Sequence, residues 1–251
     1  MPSERRSLRW RTAGNTPVCA PACAVGTSTA PECIVAFVAH EPHPPGADEA
    51  GTSIMALRRA GLAPDQMVRG YLGGAFPMDE ADAVGPVGWY LSDPRAVILP
   101  AEARVPASVR RALRRRGYEV RVDTAFAEVV HACGGDRDGM WLTPRLATAY
   151  DALHAVGIAH SVEAWDGAHL VGGLFGVWLG RFMTAESMFQ RAPDGGNAAL
   201  AGLLEVAAEG GAQVIDVQMM SAHVARFGAR EMPQGEFMRL LATAVGGEPP
   251  G

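Results

Sequence analysis

Two polar side chains in an otherwise apolar segment are the first candidates for chemistry. Residues 213–219 read Gln-Val-Ile-Asp-Val-Gln-Met, which predicts a β-strand. Because side chains on one face of a strand recur every second residue, Asp216 and Gln218 share a face. The carboxylate of Asp216 can accept a hydrogen bond from the Gln218 amide, whose oxygen is then free to receive a donor such as an amine. The alternative, which this strand alone favours, is a half-exposed strand with its polar face in water.

A second group of residues has the composition of an apolar pocket, and its members are Trp141, Met183, Ala185, Met188 and Phe189. Glu186 is the acidic residue among them. A carboxylate between Ala185 and Met188 is either exposed on the opposite face of a strand, which is the commoner case, or held in a cleft. In a cleft it could contact a ligand.

Basic residues are concentrated in one stretch of a chain whose formal net charge is -5. No lysine occurs, so every such contact is a guanidinium, whose fork suits bidentate binding of phosphate. The cluster consists of Arg104, Arg110, Arg111, Arg114, Arg115, Arg116 and Arg121. It is a candidate surface for nucleic-acid phosphates, and a solvated helix face is an equally weighted alternative.

Other common catalytic arrangements are missing from the sequence. The histidines at 131, 154, 160 and 223 do not combine with Ser or Cys in a motif such as Gly-x-Ser-x-Gly, which argues against a serine hydrolase. The cysteines at 19, 23, 33 and 133 lack histidines at finger-like spacing, so we expect free thiols and no bound metal. Without an apolar run of roughly 20 residues or a signal-peptide core, the expected location is the cytoplasm.

The sequence divides into four parts. Residues 1–51 are rich in Pro, Ala, Ser and Thr without helical periodicity, which predicts a disordered extension or a misassigned start, with a short strand near 33–39. Residues 52–92 are predicted to form a small N-terminal domain of helical character, with Pro64 in the first turn of a helix. Residues 93–245 form the larger domain, and residues 246–251 are a tail.

The larger domain has the clearest pattern of strands. Turns at Asp166-Gly167 and near Gly180 separate three runs, which predicts an antiparallel meander over 161–165, 169–177 and 182–189. Further helices are predicted at 108–116, 125–133, 144–156 and after the loop at 193–196. Helices beside a mixed, largely antiparallel sheet define an α+β fold of the acyltransferase type.

Taken together, these segments resemble the bacterial leucyl/phenylalanyl-tRNA-protein transferase family in both order and spacing over about residues 52–237. The matching segments are Tyr71–Pro77 (Y-L-G-G-A-F-P), Ser92–Val97 (S-D-P-R-A-V), Trp141–Thr143, Ala149-Tyr150, Leu153-His154, Ala159–Trp165 (A-H-S-V-E-A-W), Leu170–Val177, Glu186–Phe189 (E-S-M-F), Gly210-Gly211, Ile215–Gln218 (I-D-V-Q), and His223 with Gly228-Ala229.

The resemblance implies a small N-terminal domain and a domain of the GCN5-related N-acyltransferase type, without a metal or coenzyme. It implies transfer of Leu, Met or Phe from aminoacyl-tRNA to proteins that begin with Arg or Lys, which creates a degradation signal (an N-degron). By position, Trp141 lines the aminoacyl pocket, Glu186 lies at its mouth, and Asp216 and Gln218 assist attack by the acceptor amine. The tRNA acceptor stem would bind Arg110, Arg111, Arg114, Arg115 and Arg116, and we expect a monomer.

Three positions of this aminoacyl site depart from the family pattern. Met78 stands where the family usually has tryptophan, and Met183 and Ala185 stand in place of a phenylalanine and a glycine. The added methyl group makes the pocket shallower, and thioethers adapt well to aliphatic chains, so we expect Leu and Met to be preferred over Phe. Glu186 and Met188 complete the predicted site.

Two other functions stay open at this point. An acetyl-CoA-dependent N-acetyltransferase would share the fold and could hold pyrophosphate at Gly195-Gly196, ahead of a helix. The Gln/Arg-x-x-Gly-x-Gly/Ala pattern typical of such enzymes is not clean here. A non-catalytic binder of tRNA or of N-degron proteins would retain the binding surfaces without turnover.

Overall fold

The computed structural model describes residues 10–12, 53–79, 85–134 and 141–246. These ranges contain twelve strands and seven helices. The strands are β1 (Trp10–Thr12), β2 (Ser53–Ala60), β3 (Phe76–Met78), β4 (Val87–Asp93), β5 (Arg95–Ile98), β6 (Glu119–Val122), β7 (Ala159–Asp166), β8 (His169–Leu179), β9 (Phe182–Thr184), β10 (Ser187–Gln190), β11 (Val214–Gln218) and β12 (Arg230–Met232). The helices are α1 (Pro64–Leu72), α2 (Ala107–Arg116), α3 (Phe126–Gly134), α4 (Pro144–Ala155), α5 (Gly195–Glu209), α6 (Ala222–Ala225) and α7 (Gln234–Ala244).

A large mixed sheet forms the body of the protein. Its nine strands follow the order β1-β6-β7-β8-β9-β11-β5-β12, with β10 paired to β8. Pairing is parallel between β1 and β6 and between β9 and β11, and antiparallel between the other neighbours. The predicted α+β fold with a mixed, largely antiparallel sheet is therefore confirmed. The predicted turns are present at Gly167 and Gly180, both in the left-handed conformation that glycine adopts without strain.

The N-terminal part is less helical than the sequence predicts. Helix α1 is confirmed, but β2, β3 and β4 form a three-stranded antiparallel sheet, so the prediction of a helical segment is wrong. Strand β2 reads Ser-Ile-Met-Ala-Leu-Arg-Arg-Ala, which lacks the alternation of polar and apolar residues that would reveal a strand. Its conformation depends on pairing with β4, which lies far along the chain.

Most of the predicted N-terminal extension lies outside the described residues. Within residues 1–51 the structure describes β1, which pairs in parallel with β6. The strand predicted near 33–39 and residues 247–251 of the predicted tail also lie outside the described ranges.

One apolar cluster joins the two sheets. Met67 and Tyr71 of α1 and Trp89 of β4 pack in the same cluster as Tyr150 of α4 and Phe237 of α7. The approach of α1 to Trp89 requires glycine at position 70, because a Cβ atom there would lie 2.0 Å from the indole ring. Burial of these large side chains holds α1 against the larger sheet, since each contributes roughly 1.5–3 kcal/mol.

Candidate active site

The large sheet opens where β9 ends. Strand β9 pairs with β11 as far as Thr184, opposite Asp216, and the Ala185 N–H still donates to the Asp216 carbonyl at 2.9 Å. The next N–H, that of Glu186, donates to Phe175 of β8 instead. Strand β10 then continues along β8 while β11 continues along β5. The single strand predicted at 182–189 is therefore interrupted at Ala185 and Glu186, and a cleft separates β10 from β11.

The cleft is a cavity of about 320 Å³. Its walls are apolar where Leu174, Met188, Leu200 and Val217 contribute side chains. Polar groups come from opposite sides, with Glu186 on the β10 side and Gln218 on the β11 side. The remaining lining residues are Ala185, Ser187, Met219, Met220, Ser221, His223 and Val224. A cavity of this size lies at the lower end of the roughly 300–1,000 Å³ that small-molecule sites occupy.

Gln218 ends β11 with an unusual backbone. Its φ angle is 58°, in the left-handed region, and the pairing of β11 with β5 shifts register between Asp216 and Gln218. The carbonyl oxygen of Gln218 accepts a hydrogen bond of 2.7 Å from the hydroxyl of Ser92. The side-chain amide of Gln218 can be placed in two orientations, and only one gives its nitrogen hydrogen-bond acceptors. In that orientation the nitrogen donates to Ala185 O at 3.2 Å and to Val217 O at 3.0 Å. Amide orientation is assigned from these partners.

Asp216 lies behind Gln218 and is fully buried. Its Oδ1 and Oδ2 accept from Nε and Nη2 of Arg95 at 2.8 and 2.6 Å, a bidentate ion pair. Oδ1 also accepts from the backbone N–H of Gln218 at 2.9 Å. The sequence predicted that this carboxylate would hold the Gln218 side-chain amide, and it instead holds the Gln218 backbone. The left-handed turn of the strand causes this difference, because it brings the N–H toward the carboxylate.

Glu186 occupies the opposite side of the cleft without an ion pair among the described residues. Tyr150 donates its hydroxyl to Oε2 at 3.2 Å, and the Tyr71 and Tyr150 hydroxyls are 2.7 Å apart. Burial raises the pKa of Glu186 to about 7, the charge of Asp216 adds to the rise, and the hydroxyls of Thr184, Tyr150 and Tyr71 oppose it. Glu186 is therefore present in both its neutral and its charged form near neutral pH.

His223 also contributes to the cleft wall. Its Nε2 is buried and has no hydrogen-bond partner in the part of the chain that the structure describes. Burial, together with the charge of Arg226, lowers the pKa of His223. The imidazole is thus neutral at pH 7 and can accept or donate a hydrogen bond to a ligand.

The residues predicted to form the aminoacyl site fall into two groups. Ala185, Glu186 and Met188 line the cleft, whereas Met183 is buried behind it in a cluster with lining residues. Trp141 and Met78 pack elsewhere, on the core cluster that contains Tyr150, and the rings of Trp141 and Tyr150 meet edge to face at 6.5 Å.

Sequence reasoning missed four residues around the cleft, namely Ser92, Arg95, Tyr71 and Tyr150. All four occur in segments that carry the family resemblance. That resemblance was the one feature of the sequence that could have indicated a role for them. Their partners lie 36 to 126 positions away along the chain, so spacing could not reveal the contacts.

Five of the seven arginines in the cluster lie on the surface of one helix, whereas Arg104 precedes α2 and Arg121 lies in β6, paired with Glu119 at 2.8 Å. Arg110, Arg111, Arg114, Arg115 and Arg116 are all exposed on α2, which ends at Gly117 in a left-handed conformation. Arg110 donates to the Val105 carbonyl at 2.7 Å, and Arg116 lies 3.8 Å from Asp194. Within the described ranges, the other three guanidinium groups form no ion pair, so they are available to an anionic partner.

The described residues contain no group of three or more His, Cys, Asp or Glu placed to bind a metal ion. None of the described helices is long and apolar enough to cross a membrane.

A mixed sheet that parts to form a small cleft, apolar along its walls and polar at two points, is an α+β fold with a candidate site for a small group. A family model described as Leucyl/phenylalanyl-tRNA protein transferase matches residues 97–242. The chain belongs to this family and is an aminoacyltransferase.

Relatives with the same description support the assignment. A protein of Herpetosiphon aurantiacus is 43% identical over 185 residues, covering 73% of this chain and 95% of that protein. A protein of Laribacter hongkongensis is 41% identical over 208 residues, covering 81% and 88% respectively. The chain also resembles a solved structure described as L-PGS from Bacillus licheniformis, with a TM-score of 0.40, 14% identity, and coverage of 61% of this chain and 65% of that one.

Proposed function

We propose that this protein transfers Leu, Met or Phe from aminoacyl-tRNA to the N-terminal amine of proteins that begin with Arg or Lys, and so creates a degradation signal. The observation that carries the proposal is the cleft between β10 and β11, where a small apolar cavity ends at a carboxamide. Its volume of about 320 Å³ suits one aminoacyl side chain. The proposal includes a monomeric enzyme that works in the cytoplasm and needs no cofactor.

The reaction requires positioning more than strong acid or base catalysis. The aminoacyl ester is already activated, and bringing ester and amine together can supply several kcal/mol of the barrier. The amine attacks the ester carbonyl, the new C–N bond forms, the ester C–O bond breaks, and the amine proton ends on the ribose oxygen. In this mechanism Gln218 hydrogen-bonds the incoming amine, and Asp216 acts through Gln218. Glu186 contacts the aminoacyl group at the mouth of the cleft.

The arginines of α2 are proposed as the tRNA-binding surface. Their exposure and the absence of ion pairs at three of them, within the described ranges, leave guanidinium groups available for phosphates. Phosphate contacts bind the acceptor stem without reading its sequence, and their affinity falls as salt rises.

The geometry near α5 disfavours the acetyl-CoA alternative. Gly195 and Gly196 are buried, and a Cβ atom on Gly195 would lie 2.2 Å from the Val171 carbonyl oxygen of β8. These glycines therefore permit close packing of α5 on the sheet. The Gly195 N–H is already donated to the Ala192 carbonyl at 3.0 Å and is not free to bind pyrophosphate.

The test is transfer of radiolabelled Leu, Met or Phe from tRNA to a protein that starts with Arg, with the same protein starting with Ala as control. We expect labelling of the Arg-starting protein. Gln218→Ala should reduce the rate, whereas Gln213→Ala, immediately before the start of β11, should not. Binding of charged tRNA without labelled product would indicate a non-catalytic binder, and tight binding of acetyl-CoA in calorimetry would indicate an acetyltransferase.

The tRNA surface has its own test. Replacing Arg110, Arg111, Arg114 and Arg115 by Ser should weaken tRNA binding and reduce its salt slope, by about 0.9 for each phosphate that the variant no longer neutralises. Replacing Arg230 and Arg239, two exposed arginines on other elements, by Ser is the control, and its effect per arginine removed should be smaller. A salt slope equal to that of the unmodified protein would show that the α2 cluster is a solvated face.

A further inference from the structure

The backbone of Gln218 adopts a conformation that its own residue type does not favour. A φ of 58° places it in the left-handed region, which disfavours residues with a Cβ atom. Such strain persists when surrounding contacts hold it, and it is concentrated at functional sites. The contacts that hold Gln218 therefore bear on the position of its side chain in the cleft.

Two buried contacts fix the two peptide groups of Gln218. On one side, the N–H donates to Asp216 Oδ1 at 2.9 Å. On the other side, the carbonyl oxygen accepts from the Ser92 hydroxyl at 2.7 Å. Ser92 and Asp216 are both fully buried, so water does not compete for either bond. A backbone held at both ends cannot relax toward the extended conformation without leaving buried polar groups unpaired.

Arg95 in turn fixes the carboxylate. Its guanidinium forms the bidentate pair with Asp216, and both side chains are 1% exposed. The guanidinium lies between two aromatic rings, 4.8 Å from the centroid of Phe76 and 4.7 Å from that of Phe237. The rings restrict its movement and add cation–π attraction. Both oxygens of Asp216 are thus already bonded, and neither points to a substrate.

We propose that Ser92 and Arg95 are positioning residues for transfer, which act by holding Gln218 in its left-handed conformation. Arg95 acts through Asp216, and Ser92 acts directly on the Gln218 carbonyl. The four residues Ser92, Arg95, Asp216 and Gln218 are called the clamp below. This inference rests on the proposed function, because it assumes that Gln218 contacts the acceptor amine. It makes Asp216 a link between Arg95 and Gln218 that acts on the backbone of Gln218 and not on its side-chain amide.

The milder test removes one hydrogen bond. Ser92→Ala should lower kcat by about tenfold, because the free energy of one buried hydrogen bond corresponds to roughly that change in rate. The KM for aminoacyl-tRNA should change by less than about twofold. Thr243→Ala is the matched control, because the Thr243 hydroxyl also donates to a backbone carbonyl, that of Arg239 at 3.0 Å, on the exposed face of α7. The control should retain wild-type kcat. An unchanged kcat in Ser92→Ala would overturn the role of Ser92.

The stronger test removes the ion pair without leaving a buried charge. Arg95→Met combined with Asp216→Leu replaces the pair by apolar groups, which folded proteins commonly tolerate. We expect a folded protein whose kcat is lower by about a hundredfold, as misplacement of a reacting group by an ångström can cause. Glu163→Gln is the control for loss of a buried carboxylate, since Glu163 is bonded to Ser161 and Thr124, away from the cleft. It should change the melting temperature but not kcat.

A conservative variant separates positioning from general stability. Arg95→Lys keeps the positive charge but not the forked guanidinium. Compared with Arg95→Met alone, it should therefore recover a larger fraction of the lost stability than of the lost kcat. Equal recovery of the two would contradict the proposal.

A structural measurement keeps the inference independent of activity. In a crystal structure of the Arg95→Met, Asp216→Leu variant, the φ angle of Gln218 should leave the left-handed region. If φ stays near its wild-type value of 58°, Arg95 and Asp216 do not hold Gln218 in this conformation, and the proposed role of the clamp is wrong whether or not the enzyme transfers amino acids. If the wild-type protein fails to label an Arg-starting acceptor while the variant's Gln218 does relax, the proposed function fails and the clamp remains as a structural device.

Discussion

The two sides of the cleft carry one carboxylate each, in opposite environments. On the β11 side, Asp216 is fully buried, ion-paired with Arg95 and bonded to a backbone N–H. On the β10 side, Glu186 has hydroxyl groups as partners, with Tyr150 donating at 3.2 Å. Burial without a cation raises the pKa of Glu186 to about 7. The same functional group is thus a fixed structural charge on one side and a titrating group on the other.

This difference shows how the site divides its work. A charged group such as Asp216, with both oxygens bonded, keeps its neighbours in fixed positions, because moving it would break several hydrogen bonds at once. A group with a pKa near the working pH can exchange protons or adapt its hydrogen bonds to a substrate. We therefore expect Asp216 variants to affect stability and position, and Glu186 variants to affect the pH dependence.

The largest expected effect comes from breaking the ion pair. Asp216→Ala should destabilise the protein by about 3–5 kcal/mol, because Arg95 is left buried and unpaired. Urea denaturation at pH 7 measures this loss, and Arg95→Met in the same background should restore most of it. A loss below about 1 kcal/mol would show that the Arg95–Asp216 pair does not stabilise the fold, which contradicts the structural role given to Asp216.

The next effect is the pH dependence of stability due to Glu186. Its pKa is raised from 4.5 to about 7 by folding, so the folded state binds the proton more tightly than the unfolded state. The free energy of unfolding should therefore fall as the pH rises through this range, relative to Glu186→Gln, by roughly 1–3 kcal/mol. We expect a value near the lower end of this range, because the Glu186 side chain is partly open to the cleft and solvent screens its charge. Urea denaturation of both proteins at pH 5 and pH 8 gives this difference, and equal slopes would contradict it.

Local patterns predicted much of the large sheet but not the cleft. The meander of β7 and β8, helix α5 and the arginine face of α2 follow from turns, caps and periodicity near each element. The break at Ala185 and Glu186 could not be predicted, because the run from Phe182 to Phe189 is compatible with one continuous strand. It arises where β8 and β11 diverge, and both lie elsewhere in the chain.

The candidate site shows the same limit at the level of single residues. Asp216 and Gln218 stand out in the sequence because they are polar residues in an apolar strand. Arg95 follows a Ser-Asp-Pro turn and looks like an ordinary boundary residue, yet it is among the most buried side chains. The left-handed conformation of Gln218 also has no local signal, since glutamine rarely adopts it.

The third prediction concerns whether the amino-acid preference is set by a residue that lines the cleft or by one packed behind it. Ala185 lines the cleft and Met183 packs behind it. Ala185→Gly should therefore shift the ratio of Phe to Leu transfer toward Phe by about tenfold, and Met183→Phe alone should shift it less. Competition between Leu-tRNA, Met-tRNA and Phe-tRNA on one Arg-starting acceptor measures the ratio. If Met183→Phe has the larger effect, or if the wild-type enzyme already prefers Phe, this interpretation of the pocket is wrong.

The smallest expected effect tests whether hydroxyl groups adjust the pKa of Glu186. Tyr150 donates its hydroxyl to the Glu186 carboxylate, and a donor to the charged form lowers the pKa of an acid. Tyr150→Phe should therefore raise the pKa of Glu186 further, by about one unit or less, since a net hydrogen bond is worth about 1 kcal/mol. The measurement compares the pH dependence of unfolding for Tyr150→Phe with and without Glu186→Gln, which isolates the titration of Glu186.

Tyr118→Phe is the matched control, because the Tyr118 hydroxyl donates to the Pro193 carbonyl at 3.1 Å, outside the cleft. The control should leave the midpoint of the Glu186 titration unchanged. A midpoint that stays in place or falls in Tyr150→Phe would mean that burial alone sets the pKa of Glu186. In that case the two sides of the cleft would differ through the presence or absence of a cation, and the tyrosine hydroxyls would serve packing and hydrogen-bond satisfaction without influencing the proton.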